Sequence, residues 1–314
     1  MIHISRAGAA VLAAALASAC GRGETLRTLD RVPLPDSVSA DATLALDSLG
    51  RAWVGDAGRL TAVDTSGRVL ARVPVALGGT PRLLWLGAGR IYARTDSAST
   101  VIDARTLQPG GVRRSEAPLA RDPRGRWVFT ASRTGSVMGL DTASLAVRWG
   151  WPDAGSRVTA LAVSPLGDRV YVALAGSSRN DVPASIEVRD ALSGRLLSVY
   201  RTSDPARRLE VAPDGTLYAL MGGDVAALRH GRDGLEPLWS KGVGGGIGGG
   251  RADELRISPS GMRLAVLARG RELRLLAAAD GKVLEESKQK PRDVAWDAAG
   301  RLWVLGAREI RIAR

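Results

Sequence analysis

The chain is poor in the residues that build metal and redox centres. In 314 residues it has one cysteine and two histidines, and its only asparagine is Asn180. One cysteine cannot form an internal disulfide, a zinc cage or an iron–sulfur site. His3 lies near the N-terminus, so a Ser-His-Asp hydrolase or a histidine-dependent lyase would have to use His230. Lysine is confined to Lys241, Lys282, Lys288 and Lys290, and the other 40 basic residues are arginine. There is no Gly-Lys-Ser/Thr sequence and therefore no Walker loop. Beyond the N-terminal run, no apolar stretch is long enough to cross a bilayer as a helix.

What is present is an ordinary globular composition, 45% hydrophobic and 24% charged, which excludes wholesale disorder. The formal net charge is +12. Arginine presents a planar donor fork that suits phosphate and carboxylate. Nucleic acid is the usual partner of a basic chain, but the N-terminus argues against it. MIHISR and the apolar run AGAAVLAAALASA form an export signal, too short to span a membrane comfortably. The run ends at Leu16-Ala17-Ser18-Ala19-Cys20, which resembles a bacterial lipobox, with Cys20 as the lipidated first residue of the mature protein. Leu16 stands one place further from the cysteine than in the usual pattern, and Ala17-Ser18-Ala19 also fits ordinary signal peptidase. Gly21 is not the Asp of an inner-membrane retention signal. The expected organisation is a signal peptide over 1–19, a tether over 20–24 and one folded domain over 25–314.

That domain is a repeat. An apolar strand, a turn centred on glycine and a second strand, with an aromatic in every copy but the one at Leu264, recur seven times, from LDSLGRAWVGD to WDAAGRLWVLG. The turn glycines are Gly50, Gly89, Gly125, Gly167, Gly215, Gly261 and Gly300, spaced 39, 36, 42, 48, 46 and 39 apart. A spacing near 40 is the length of a four-stranded propeller blade. Third and fourth strands follow, with Asp64, Asp103, Asp141, Asp190 and Asp280 expected to open the turn between them. The seventh unit ends after three strands, and Thr25–Leu34 looks like a missing fourth strand. The expectation is an all-β, seven-bladed β-propeller of four-stranded antiparallel blades, closed by the N-terminal strand.

SPLGDRVYVAL followed by IEVRDALSGRLLSV resembles the YVTN-type bacterial surface propeller unit. LDTASLAVRW is similar to the tryptophan-docking repeat of quinoprotein-like (PQQ-like) propellers, with Asp141 and Trp149 at matching positions and Ser144-Leu145 in place of Thr-Gly. LDSLGRAWVGD and WDAAGRLWVLG also resemble repeats of streptogramin-lyase and gluconolactonase-like propellers. These resemblances imply the fold and leave activity open, because propellers host unrelated functions.

Gly244, Gly246 and Gly249 match GxGxxG, but a strand-like segment follows where a dinucleotide fingerprint needs a helix, so the run reads as a connection between blades five and six. His230 falls in a turn between third and fourth strands, on the face opposite the channel mouth. Asn180-Asp181 is far short of a hard-metal cage. No catalytic residue, metal site or cofactor is expected. Arginine, however, recurs just before the innermost strands: Arg82, Arg157, Arg207, Arg251 and Arg292 stand 7 to 10 residues before their turn glycines. Loops expected on the same face add Arg94, Arg133 and Arg179. A concave mouth lined with cations focuses field and attracts anions. The leading expectation is an envelope-anchored, non-enzymatic scaffold or ligand-binding module with an envelope protein or anionic ligand as partner. It would touch membrane only through its N-terminal lipid, on the periplasmic face of the outer membrane in a Gram-negative cell. It would be a monomer or a subunit of a hetero-complex. The alternative is a channel-mouth enzyme of the lactonase or lyase type.

Overall fold

Each repeat carries two kinds of local instruction, a turn glycine and an alternation of buried and exposed residues, and the structure follows both. The computed structural model describes residues 28–314 apart from 88, 96, 112, 115–117, 133–134, 143, 145, 152–155, 178–181, 244–251 and 269–271. The expected signal peptide, Cys20 and the expected tether lie outside the described residues.

Among the described residues, 28 strands form seven antiparallel sheets of four. The first strands of the blades are Thr43–Leu46, Arg82–Gly87, Leu119–Arg121, Val158–Val163, Ala206–Val211, Glu254–Ile257 and Asp293–Trp296. They stand round a common axis, and that of blade 1 packs against those of blades 2 and 7. The seven turn glycines all adopt positive φ, from 66° to 90°, the region where a side chain is strained.

Blade 7 is completed from the other end of the chain. Thr28–Pro33 pairs antiparallel with Glu309–Ala313, with Val32 opposite Ile310. Val32 is fully buried and packs with Leu44, Val54, Trp303 and Ile310 between blades 7 and 1. Because each sheet buries both faces against its neighbours, the apolar clusters lie between blades. One of them joins Phe129 and Trp151 of blade 3 to Val163 and Val172 of blade 4.

The outer turns follow the expected chemistry with one correction. Asp64, Asp103 and Asp190 accept hydrogen bonds from amides of their own turns, such as Ser66, Thr106 and Ser193. The Ser66 hydroxyl at Asp64, and above all the turn amides at Asp103 and Asp190, hold these carboxyls below their ordinary pKa. In blade 6 the opening position belongs to Ala277, whose carbonyl accepts from Gly281 as that of Asp190 accepts from Gly194. Asp280 sits three residues later and accepts from the Lys282 amide at 2.9 Å. The turn there is one that an alanine can open, because the backbone bonds alone close it.

Candidate functional site

The first strand of each blade reads in a common register, counted back from its turn glycine. Seven residues before that glycine stand Arg82, Arg208, Glu254 and Asp293 in blades 2, 5, 6 and 7, and the uncharged Thr43, Pro118 and Ala160 in the others. All seven line a central cavity of about 340 Å3. Two residues further on, blades 5 and 6 carry Glu210 and Arg256, which line it too. The uncharged positions of both levels are small or apolar, so the charges of blades 5, 6 and 7 are concentrated on one side of the channel.

Glu254 is the hub of that side. Its carboxylate, nearly buried, accepts from Nε and Nη2 of Arg208 at 2.8 Å each. Arg82 reaches it across the channel at 3.3 Å, and Arg256 at 3.5 Å. Arg256 also donates to Glu210 at 3.1 Å. Burial pushes the Glu210 carboxyl up, and the Arg256 charge opposes it. Burial works against the charged Arg256 as well, but Glu254, Glu210 and Asp293 outweigh it and raise its pKa. Asp293 accepts from the Leu44 amide at 2.8 Å and so ties blade 7 to blade 1.

Of the arginines expected at the mouth, Arg82 and Arg207 line this cavity, and so does Arg94. Arg157 precedes the first strand of blade 4 but is exposed outside the cavity wall. Arg292 is half-buried before the first strand of blade 7, where its amide donates to the Leu305 carbonyl at 2.7 Å, and it too stands outside that wall. Arg251, Arg133, Arg179, Asn180, Asp181 and residues 244–250 lie outside the described residues. His230 ends the third strand of blade 5, and its Nδ1 faces the Gly231 carbonyl at 3.0 Å. Reading arginine alone missed Glu254, Glu210, Asp293, Arg208 and Arg256. Counting back seven residues from the turn glycine for every charged type finds Arg208, Glu254 and Asp293, and counting back five finds Glu210 and Arg256.

In all, six arginines and three carboxylates line the mouth cavity, an excess of three formal positive charges. No family model matches the chain, and no curated protein matches it. Solved structures do. A chain in the crystal structure of the mitotic checkpoint complex matches with a TM-score of 0.71 at 13% identity, over 99% of this chain and 98% of that one. The Myceliophteria thermophila Cps50 (Swd1) β-propeller domain matches with a TM-score of 0.70 at 13% identity, over 88% of this chain and 98% of that domain. The chain is a seven-bladed β-propeller. At this identity the likeness shows the fold alone.

Proposed function

We propose that this propeller is an exported, lipid-anchored module of the cell envelope, of the YVTN or quinoprotein-like kind, that holds an anionic partner at its channel mouth. The observation that carries the reading is the excess of arginine over carboxylate around that cavity. Coulomb attraction is strong in a concave site with low-dielectric walls, and arginine binds carboxylates through paired N–H groups. Propellers commonly serve as scaffolds for protein interactions, and one of the similar solved propellers comes from a complex. The apolar run ending at Cys20 supports an anchor, which would leave the propeller free to meet an acidic segment of an envelope protein. Arg157 and Arg292, just before the first strands of blades 4 and 7, would extend the positive face around the mouth.

The test is titration of the full chain with a fluorescent polyglutamate peptide at low and high salt. Binding should weaken as salt rises. Arg82→Gln with Arg207→Gln should weaken it about tenfold, the loss expected for one or two charge-assisted contacts. Salt-insensitive binding, or unchanged affinity in the double variant, would overturn the reading. The anchor is checked separately: palmitate labelling should vanish in Cys20→Ser, and processing should be sensitive to globomycin.

A further inference from the structure

The channel continues past the charged mouth into a second cavity of about 540 Å3. Eight residues wall both cavities, the charged Arg121, Glu210 and Arg256 among them, and form the boundary between the two. Beyond that boundary the wall is apolar. Four residues before the turn glycine, six blades carry Leu46, Trp85, Val163, Val211, Ile257 and Trp296, and all six line the second cavity. Blade 3 carries Arg121 at that position. Pro213 and Pro259, exposed on the hairpin turns, line it and not the mouth cavity, so the cavity opens on the face opposite the mouth.

Arg121 has no counter-ion there among the described residues. The neighbouring Asp122 turns its carboxylate into its own hairpin, accepting from the Arg124 amide at 3.0 Å and from Arg126 Nε at 3.2 Å. Glu210 is taken by Arg256. Arg121 Nε is buried without an acceptor, and Trp296 Nε1, in the wall of the same cavity, also lacks one. Gly87 makes room for the guanidinium: a Cβ there would lie 3.0 Å from Arg121 Nη2. Burial lowers the arginine's pKa, with Asp122 opposing, yet an arginine stays protonated at neutral pH.

We propose that this second cavity is a binding site for a small amphipathic carboxylate, its head on Arg121 and its apolar body against Trp85, Trp296, Ile257 and Val211. The planar fork of arginine matches a carboxylate, and the surrounding apolar wall strengthens that attraction by excluding water. The volume lies within the range of small-molecule sites. An inorganic anion would leave the apolar wall wet, and a neutral hydrocarbon would leave the cation unanswered. An acidic peptide, the partner proposed for the mouth, gains nothing from the apolar wall. The two sites share Arg121, Glu210 and Arg256 in their walls, and Arg207, which lines the mouth cavity and not the second one, tells them apart.

Isothermal titration of the full chain with 2-naphthoate tests it. The neutral 2-naphthylmethanol and the body-less acetate should each bind at least about tenfold more weakly, as expected when the ion pair or the apolar contact is lost. Arg121→Gln should weaken naphthoate by about tenfold, and Arg121→Lys should restore part of the affinity. Arg121→Leu, which gives blade 3 the residue type of the other six blades, should fold well and bind as poorly as the glutamine variant. Arg207→Gln, which alters a residue lining the mouth cavity and not the second one, should leave naphthoate binding within about twofold. Equal affinity for naphthoate and naphthylmethanol, undiminished binding in Arg121→Gln or Arg121→Leu, loss of naphthoate binding in Arg207→Gln, or no binding at all would each overturn the proposal.

Discussion

Arg208 and Glu254 meet as a two-point pair across the boundary between blades 5 and 6, with both N···O distances at 2.8 Å. The carboxylate is 3% exposed and the guanidinium 23%. This pair anchors the charged side of the channel, because Arg82 and Arg256 lean on the same carboxylate.

Removing the charge of Glu254 should therefore leave three arginines facing one another. Glu254→Gln is expected to lower stability by about 3 kcal/mol, as breaking one side of a buried ion pair does. Adding Arg208→Gln should recover part of that loss, since the two residues are coupled. Urea denaturation of the two single variants and the double variant measures both. A single-variant change below about 0.5 kcal/mol would show the cluster to be energetically idle.

Blades 1 and 7 repeat one constellation. Asp297 accepts from Trp303 Nε1 at 3.0 Å, from Arg301 Nε at 2.6 Å and from the Arg301 amide at 2.8 Å. Asp47 accepts from Trp53, Arg51 Nε and the Arg51 amide in the same way. Burial alone would raise the Asp297 pKa, but the bonds from Trp303 and Arg301 overcome it and hold it below the ordinary value. Its folded pKa is thus lower than its unfolded one. The stabilisation is complete above about pH 4 and fades as pH falls through the folded value. Asp297→Asn should cost about 2 kcal/mol at neutral pH and less in acid, a convergence that denaturation curves between pH 2 and 7 would reveal.

Tyr218 predicts the opposite limb. Burial, helped by Asp214, lifts its hydroxyl to about 12. The folded state therefore keeps the proton longer than the unfolded chain does. Stability is complete below about pH 10 and declines as pH climbs towards the folded value. The hydroxyl donates to the Ala278 carbonyl at 3.0 Å, and Trp239 Nε1 donates to the same oxygen at 3.1 Å. Tyr218→Phe thus leaves that oxygen satisfied and should cost only about 1 kcal/mol at neutral pH. Between pH 10 and about 12 it should unfold less steeply than the parent. Parallel alkaline slopes would refute this.

Ring closure offers a fourth check. Val32→Asp would put a carboxylate into the fully buried contact with Trp303 and Ile310. The expected loss exceeds about 4 kcal/mol. Arg31→Ser, one residue away and exposed, should change stability by less than about 0.5 kcal/mol. Thermal denaturation should separate the two clearly. If they behave alike, the terminal strand does not hold the ring.

The legible part of this protein is the part whose causes are local. A turn that needs positive φ selects glycine wherever it recurs, so seven glycines in sequence count seven blades. An Asp that bonds its own turn amides marks most outer hairpins, and Asp280 misleads only because a backbone-closed turn tolerates Ala277 in the opening place. The unfinished seventh repeat and the spare N-terminal strand identify each other for the same reason: an unpaired sheet edge requires a partner.

The amino-acid sequence by itself thus determined the blade count, the strand order and the closing strand, along with the recurrence of arginine before the first strands. Only the tertiary structure decided what those arginines meet. Arg82 and Glu254 lie 172 residues apart in the chain and 3.3 Å apart in the channel. Arg121 Nε lacks an acceptor at a level where the other six blades contribute apolar residues. Turn conformation is settled within a few residues, whereas the partner of a charge on the axis depends on how all seven blades close.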